Sequence, residues 1–205
     1  MKRIAKILLI IALTLPLLSS TSDVIYLDNL PNVKIKTDIF EVEYSQKYQQ
    51  PLVVKYIVQC PTGDEERAGM SFKKYSGVVT SDDADYTNNV WDKGHMAPAG
   101  AFTCDATKLS ETFSYLNCAL QHQSLNRGPW KELERFEKNL TKVYAFVTIE
   151  IRVHFNDIPK YWLKTEALVP VGFTKIIWCD GERFEFYFPN EDVAGHDWIE
   201  YKVNP

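Results

Sequence analysis

The stretch Asn117–Leu140, "NCALQHQSLNRGPWKELERFEKNL", contains two hydrophobic patterns with a break between them. Its first residues continue a strand candidate, Thr112–Leu120, and its second half has the periodicity of a helix. Proline is tolerated in the first turn of a helix, so Pro129 fits its start, and Asn126 or Gly128 can cap it. The apolar residues of this helix recur at helical spacing: Trp130, Leu133, Phe136 and Leu140. The stretch therefore predicts a strand followed by an amphipathic helix.

Strand candidates lie on both sides of this stretch. Phe40–Cys60 is rich in Val, Ile and Tyr and predicts two strands around the turn-like "SQKYQQP". Lys142–Val153 alternates apolar and polar residues like a strand, and Ala167–Phe188 predicts two strands joined at Asp180-Gly181. Strands outnumber helices, so the pattern predicts an α+β fold built on an antiparallel sheet with few helices.

The first 22 residues are expected to be a signal peptide rather than part of the fold. A short basic start precedes the apolar run "ILLIIALTLPLL" and the polar "SSTS", where cleavage can occur. A membrane anchor is the alternative, but the run is short for a membrane span. We therefore expect one domain over residues 23–205, with its core at about 40–188. The mature chain would be secreted, or periplasmic in a bacterium, without stable membrane association.

Charge and cysteine content restrict the function. Without residues 1–22 the chain has 20 basic and 27 acidic residues, a net charge of −7. Such a chain is a poor general binder of polyanions, so a nucleic-acid partner would require a local basic patch or bound cations. An even number of cysteines in an exported chain favours disulfides, with three possible pairings: Cys60, Cys104, Cys118 and Cys179. The absence of a Cys-x-x-Cys pair argues against a structural zinc site.

The segment Trp91–Gly100, "WDKGHMAPAG", carries a candidate catalytic histidine. Asp92 and Gly94 predict a tight turn, and Pro98 is expected to keep the following backbone extended. Histidine suits a general base because its pKa lies close to neutral pH. By itself the segment is a weak signal, because a lone histidine in a loop is more often an ordinary loop residue than a catalytic one, so His95 requires further support.

Amide and carboxylate side chains downstream of His95 provide that support. Asn117 and Gln121 lie in the strand candidate and at its exit, Asn126 opens the predicted helix, and Glu134 follows eight residues later. Asn126 and Glu134 can serve one region if the helix is continuous. Amide and carboxylate oxygens with bound waters suit Mg²⁺. The alternative is that Asn126 is only a helix cap and Glu134 only a solvated helix residue.

Three blocks of residues together resemble the DNA/RNA non-specific endonuclease family. The family pattern is Asp-Arg-Gly-His-x-x-Pro, then Asn-x-x-Pro-Gln, then Asn-x-x-x-Trp-x-x-Leu-Glu, and a later strand reads Val-Pro-x-x-Phe-x-Lys. The matching positions occur in the same order over about residues 40–188: Asp92, Gly94, His95, Pro98, Asn117, Gln121, Asn126, Trp130, Leu133, Glu134 and the strand Ala167–Ile177. The resemblance implies the ββα-metal fold, in which a hairpin carrying the histidine packs on a helix carrying the metal ligand.

The resemblance also implies a mechanism for hydrolysis of DNA and RNA. His95 would deprotonate a water, and one Mg²⁺, with Mn²⁺ as a substitute, would be held by Asn126 and stabilise the charge on the phosphate. Glu134 and Gln121 would orient the surrounding waters. The main-chain carbonyl near Asn117 would fix the tautomer of His95. The products would carry 5′-phosphates, and contacts to the backbone would permit both nucleic acids as substrates.

The chain departs from the family pattern where phosphate is bound. Lys93 replaces the usual arginine of the first block, and lysine lacks its planar two-donor fork. Lys138 likewise stands where some relatives have arginine, and Leu120 stands where proline is expected. We expect Lys93, Lys138 and Arg127 to contact the substrate. The upstream phosphate-binding arginine cannot be assigned among three candidates: Arg67, Lys73 and Lys74.

Two other functions are compatible with these departures. A secreted nucleic-acid-binding module of the same fold with little or no catalysis would agree with the lysine replacements and the acidic net charge. A disulfide-containing interaction domain would require the motif match to be accidental. Several members of the family are dimers, so the resemblance also allows a homodimer.

Overall fold

A six-stranded antiparallel sheet forms the scaffold of the protein. The computed structural model describes residues 30–156 and 167–203, so the predicted signal segment lies outside the described residues. The strands follow the spatial order β1-β2-β3-β6-β7-β8. Their bounds are β1 Val33–Lys36, β2 Phe40–Ser45, β3 Gln50–Ile57, β6 Thr148–His154, β7 Gly172–Cys179 and β8 Glu182–Pro189.

A two-stranded antiparallel hairpin and three helices complete the architecture of the described residues. The hairpin pairs β4 (Trp91–His95) with β5 (Cys118–His122), and the helices are α1 (Ala106–Glu111), α2 (Gln123–Arg127) and α3 (Pro129–Leu140). The part of the chain that the structure describes also contains four short 3₁₀ helices, three between these elements and one after β8. The predicted α+β class is confirmed. No helix within the described residues is long and apolar enough to cross a membrane.

Local sequence explains the hairpins of the large sheet. Asp180 and Gly181 join β7 to β8 with φ angles of 47° and 85°. A two-residue hairpin turn of this kind requires positive φ at both central residues, which glycine and aspartate tolerate better than most residues. The predicted β7–β8 hairpin and the predicted pair of strands within Phe40–Cys60 are both confirmed.

Helix α3 covers the sheet with its apolar side. The fully buried Trp130 packs edge-on against Phe173 of β7 and Phe188 of β8, with ring centroids 5.5 and 5.6 Å apart. Phe136 contacts Phe184 in the same way. Aromatic pairs in this geometry contribute about 0.5–1.5 kcal/mol beyond the burial of their area. They hold α3 in one position relative to β7 and β8.

Buried amide side chains attach the small hairpin to the scaffold. The Gln50 Oε1 atom accepts from the backbone N–H of Leu120 at 2.9 Å. Asn190 donates to the Leu120 carbonyl at 2.9 Å and accepts from the backbone N–H of His122 at 2.8 Å. Because these bonds satisfy buried backbone groups of β5, they fix the position of the hairpin relative to the sheet.

Two predicted strands are shorter than expected. The segment Thr112–Leu120 contains a 3₁₀ turn at Tyr115–Asn117, and only its end belongs to β5. Lys142–Val153 becomes a strand only from Thr148, because the chain first turns back at the end of α3. β-propensity therefore overestimated both strands, since turns at their starts direct the backbone elsewhere.

The cysteines form one disulfide among the described residues. Cys60 bonds to Cys104, whereas Cys118 and Cys179 are buried free thiols. The disulfide joins the end of β3 to the segment that follows the His95 loop. Backbone bonds from Cys60 N to Ala101 O at 3.1 Å and from Glu65 N to Thr103 O at 3.0 Å reinforce this connection.

Candidate active site

His95 is the last residue of strand β4. The tight turn predicted at Asp92 and Gly94 is wrong, because these residues pair with β5 in regular register, Asp92 opposite Gln121 and His95 opposite Cys118. Both residue types are frequent in turns, but the partner strand supplies ladder bonds that favour an extended backbone here. Pro98 is extended as predicted, with φ −73° and ψ 141°.

Asn117 fixes the backbone immediately after His95. Its buried side chain accepts from the N–H of Ala97 at 2.7 Å and donates to the carbonyls of Ala97 at 2.8 Å and Thr112 at 3.0 Å. Its own carbonyl accepts from the N–H of Met96 at 2.9 Å. Asn117 therefore holds the His95 loop through main-chain bonds, and its predicted effect on the His95 tautomer stays a prediction.

The His95 ring is enclosed by aromatic side chains and lacks a partner at its outer nitrogen. Phe72 and Phe113 lie 4.8 and 4.9 Å from it, measured between ring centroids. The Nε2 atom is buried and has no hydrogen-bond partner among the described residues. Burial lowers the pKa of His95 to about 3, and the positive charge of Arg67 acts in the same direction. The imidazole is therefore neutral at physiological pH.

Asn126 lies on α2, not on the long helix. The chain breaks between the helices at Gly128, so Asn126 does not cap α3, and Gly128 occupies that position without a side-chain bond. The continuous helix predicted from Asn126 to Glu134 is therefore wrong, because two separate helices carry these residues. The Asn126 amide nitrogen donates to Asp92 Oδ2 at 2.9 Å. This bond directs the amide oxygen away from Asp92, the orientation that a metal ligand needs.

Arg127 is paired with Asp92 through two nitrogens on one edge of its guanidinium. The Nε and Nη2 atoms donate to the two carboxylate oxygens of Asp92 at 2.8 and 2.6 Å. Burial raises the pKa of Asp92, but the bonds from Arg127 and Asn126 hold it below its usual range. Asp92 therefore stays ionised and orients Asn126. The predicted role of Arg127 in substrate binding is untested, and its charge is already used within the protein.

Gln121 is fully buried with both amide atoms unpartnered among the described residues. A Cβ atom at Gly94 would lie 2.7 Å from the Cβ of Gln121, so only glycine leaves space for this side chain. An unsatisfied buried amide costs about 1–3 kcal/mol, and such a group in a folded protein indicates an ordered water or an ion. Gln121 is thus suited to its predicted role of organising water.

Glu134 lies on α3 in an environment that favours its protonated form. Burial raises the pKa of Glu134 to about 7, and the negative charge of Glu137 raises it further. The positive charges of Lys175 and Arg67 lower this pKa, but they offset only part of the increase. The carboxyl therefore titrates near neutral pH and can accept or donate hydrogen bonds. A carboxyl group whose pKa is raised in this way is typical of functional sites, although structural networks of charged groups also produce such pKa shifts.

A buried polar cluster beside Glu134 was not predicted. Lys175 is 0% exposed and donates to Glu137 Oε1 at 2.7 Å, and Glu137 accepts from the Tyr56 hydroxyl at 2.7 Å. The Lys175 ammonium also lies 4.0 Å above the Trp130 ring. The family's later strand motif includes this lysine, but neither its burial nor its partner can be read from spacing, because β7 and α3 are far apart in the chain.

Arg67 is a candidate substrate-binding residue that the sequence could not select. It lines a cavity of about 170 Å³ together with Glu134 and Lys138, and its charge lowers the pKa of both Glu134 and His95. The predicted contact of Lys138 with substrate stays a prediction. Arg67 belongs to a loop without regular structure, which the Cys60–Cys104 disulfide and the backbone bond from Glu65 to Thr103 hold against the segment after His95.

The ammonium group of Lys93 already interacts with other side chains of the protein. Its ammonium forms an ion pair with Asp83 and lies 5.6 Å from the Phe72 ring centroid, 5.7 Å from that of Tyr115 and 5.8 Å from that of Tyr86. Its predicted contact with substrate is untested. Because Asp83 compensates its charge, Lys93 has less positive charge to offer a phosphate than Arg67 has.

The site has the donors for a hard cation, although no ligand set is complete from the protein alone. No group of three or more His, Cys, Asp or Glu side chains within the described residues could hold a metal ion. The predicted site does not need one, since a single amide oxygen with waters suits Mg²⁺. The oriented Asn126 amide and the unpartnered Gln121 amide have the oxygen chemistry that such a hydrated ion needs.

Comparison with known proteins identifies the family. The model of the family described as DNA/RNA non-specific endonuclease matches residues 22–204. The chain belongs to this family. The resemblance read from the three sequence blocks is thereby confirmed.

Several named nucleases are similar to the chain. It is 34% identical over 163 residues to the mitochondrial nuclease EXOG of Danio rerio, covering 69% of this chain and 48% of the relative. It is 30% identical over 149 residues to mitochondrial endonuclease G of Bos taurus, covering 64% of this chain and 50% of the relative. The chain thus spans about half the length of these curated relatives.

A solved structure confirms the fold. A chain in the crystal structure of the EndoG/EndoGI complex superposes with a TM-score of 0.75 at 23% identity, covering 86% of this chain and 82% of that chain. The β4–β5 hairpin with its adjoining helices is therefore the ββα-metal arrangement expected from the motifs, with the predicted metal ligand on α2.

Proposed function

We propose that the chain is a secreted, metal-dependent endonuclease that hydrolyses phosphodiester bonds in DNA and RNA with little sequence specificity. The environment of His95 carries this proposal. Its Nε2 atom is buried and without a partner, its ring is neutral at physiological pH, and Arg67 acts electrostatically on both His95 and Glu134. A neutral imidazole whose outer nitrogen has no protein partner can accept a proton from water, as a general base does.

The residues of the chain divide the reaction among them. His95 accepts a proton from water at Nε2 as the water oxygen bonds to phosphorus, and the bond from phosphorus to the 3′ oxygen breaks. The 3′ oxygen leaves as a hydroxyl after taking a proton from solvent, and the phosphate stays on the 5′ side. Arg67 and Lys138 bind the phosphate oxygens, and Glu134 and Gln121 orient waters near the Asn126 amide.

The cofactor would be Mg²⁺, with Mn²⁺ as a substitute, bound through the Asn126 carbonyl oxygen. When bound, the ion supplies positive charge that stabilises the phosphate and the departing oxygen. Asp92 holds the Asn126 amide in the required orientation and, as an ionised carboxylate, adds favourable negative charge nearby.

Cleavage of plasmid DNA and RNA by the mature chain tests the proposal. We expect fragmentation with Mg²⁺ or Mn²⁺, 5′-phosphate ends on the products and no fragmentation in EDTA. His95→Ala should lower the rate by about 10²–10⁴-fold while circular dichroism shows an intact fold. A wild-type protein that stays inert with every divalent metal would contradict the enzymatic function.

A non-catalytic nucleic-acid-binding module of the same fold is the second candidate. Two predicted substrate-binding residues favour it, because Lys93 is paired with Asp83 and Arg127 with Asp92. This function predicts salt-sensitive binding without turnover.

Secretion and oligomeric state belong to the proposal as well. The named relatives are mitochondrial, whereas the expected signal at residues 1–22 predicts export of a single domain, residues 23–205. Amino-terminal sequencing of the protein recovered outside the producing cell tests cleavage near residue 22. Analytical ultracentrifugation tests the homodimer that the resemblance allows.

A further inference from the structure

Basic residues recur along one side of helix α3 and just beyond its end. Lys131, Arg135, Lys138 and Lys142 are separated by four, three and four residues, the spacing that places side chains on one helix face. We call these four residues the α3 basic face. From Lys131 to Lys138 the helix rises about 10 Å, and Lys142 follows one turn later.

The α3 basic face leads away from the candidate active site. A cavity of about 410 Å³ is lined by Arg135, Lys138 and Lys142 together with Pro61, Thr62 and Asn139. It adjoins the 170 Å³ cavity of Glu134 and Arg67, since Arg135 and Lys138 line both. The two cavities therefore join the surroundings of Arg67 to the α3 basic face.

The charges on this face are available to a ligand. No acidic side chain among the described residues lines the 410 Å³ cavity. Lys142 donates to the neutral amide oxygen of Asn139 at 2.8 Å, which positions its ammonium without compensating its charge. Arg135 pairs with Glu132 at 2.5 Å, but 58% of its side chain stays exposed, and an exposed pair of this kind contributes only about 0–1 kcal/mol.

The overall charge of the chain makes this face unusual. With a net charge of −7 after residue 22, the chain as a whole repels a polyanion. Four cations on one helix face beside the site provide the local basic patch that binding of a nucleic acid requires. Phosphates repeat about every 3.4 Å of axis on each strand, so the length of α3 suits several of them.

We propose that the α3 basic face binds the sugar-phosphate backbone of a nucleic acid beyond the scissile phosphate and makes polymers better substrates than short oligonucleotides. Lys138 is already a predicted substrate contact, and the proposal adds Lys131, Arg135 and Lys142. It rests on the proposed function, because the backbone is that of the substrate cleaved at His95. Contacts to phosphate carry no sequence information, which agrees with non-specific cleavage.

The double variant Arg135→Gln/Lys142→Gln tests the proposal. Affinity for a fluorescent DNA duplex is measured by anisotropy against salt concentration in EDTA, where no cleavage occurs. Loss of two phosphate contacts should reduce the slope of log affinity against log salt by about 1.8, at about 0.9 per contact. With Mg²⁺, the ratio of kcat/KM for a long duplex to that for a tetranucleotide should fall.

Lys34→Gln/Lys36→Gln is the matched control. These two lysines lie on β1, at the opposite edge of the sheet from β8, and are exposed and paired with Glu43 and Glu41. This variant changes the net charge equally and should keep the wild-type slope and the wild-type ratio.

Each outcome bears on a separate claim. A salt slope of Arg135→Gln/Lys142→Gln equal to that of the wild type overturns the proposed surface, and so does an equal loss of slope in Lys34→Gln/Lys36→Gln. A wild-type protein that cleaves nothing but shows the expected difference in slope supports the binding surface and overturns the nuclease instead.

Discussion

Glu134 and Glu137 lie one turn apart on the same helix, but their carboxyl groups differ in how fully the protein provides them with partners. Glu137 is 1% exposed and has a partner for each carboxylate oxygen, Lys175 and Tyr56. Glu134 faces the cavity with Arg67 and Lys138, and burial raises its pKa to about 7. One carboxylate is fully satisfied by the fold, whereas the other is withdrawn from water with incomplete compensation.

The same difference separates other polar groups of the molecule. Asn117 and Asn190 are buried and fully bonded to backbone, and both hold elements in place. Gln121 and the Nε2 atom of His95 are buried without partners among the described residues. A folded protein tolerates the cost of such groups where a ligand or water completes them, so Gln121 and His95 mark the candidate site, whereas Asn117 and Asn190 support the fold around it.

The largest expected effect is on stability, in Glu137→Gln. This change leaves the Lys175 ammonium buried without its counter-charge, which should lower the free energy of unfolding by about 3–5 kcal/mol. Urea denaturation measures the loss. Glu132→Gln on the same helix removes an exposed pair with Arg135 and should cost less than about 1 kcal/mol. Equal losses in both variants would refute a special role for the buried pair.

Glu134→Gln should impair catalysis without this loss of stability. The amide keeps the shape of the side chain but cannot orient waters as a carboxylate does, so kcat should fall about 10–100-fold. Because burial disfavours the charged carboxylate, the free energy of unfolding above pH 7 should be unchanged or higher than in the wild type. Wild-type kcat in this variant would remove Glu134 from the site.

The pH dependence of the free energy of unfolding should reveal His95 and Glu134 with opposite signs. His95 has a folded pKa of about 3 against an ordinary 6.5, so the stability it contributes is complete above pH 6.5 and is lost as pH falls toward 3. Glu134 has a folded pKa of about 7 against 4.5, so its contribution is complete below pH 4.5 and is lost as pH rises toward 7. Each slope is at most about 1.4 kcal/mol per pH unit.

Single variants separate these opposing slopes between pH 4.5 and 6.5. In Glu134→Gln the free energy of unfolding should rise more steeply with pH than in the wild type, and in His95→Ala it should rise less or fall. Urea titrations across this interval measure the slopes. Parallel curves for all three proteins would show that neither group has a shifted pKa.

The smallest expected effect is that of Lys93→Gln. Asp83 already compensates the Lys93 charge, so kcat/KM should fall by less than about fivefold, corresponding to about 1 kcal/mol. Arg67→Gln removes an exposed charge that acts on the site and should cost about 1.5–3 kcal/mol in kcat/KM. Steady-state kinetics on one duplex compares the two. A larger loss of kcat/KM in Lys93→Gln than in Arg67→Gln would show that Lys93, not Arg67, is the more important of the two for activity.

Local patterns predicted the parts of the fold that depend on neighbouring residues. The β7–β8 turn at Asp180-Gly181 and the amphipathic helix α3 follow from backbone preference and periodicity, and both are present. The same reasoning failed at Asp92 and Gly94, where two turn-forming residues lie in a strand. Pairing with β5, more than 20 residues later, outweighed their local preference.

The sequence by itself determined the family, through the ordered match of His95, Asn126 and Glu134 to its motifs. Only the tertiary structure decided which charges serve the site. It placed Arg67 beside His95 and Glu134, paired Lys93 and Arg127 with aspartates, and joined Cys60 to Cys104 while Cys118 and Cys179 stay free. The reason is physical: residue type sets the charge that a side chain can carry, but its partners and burial come from contacts between segments distant in the chain, which no local pattern encodes.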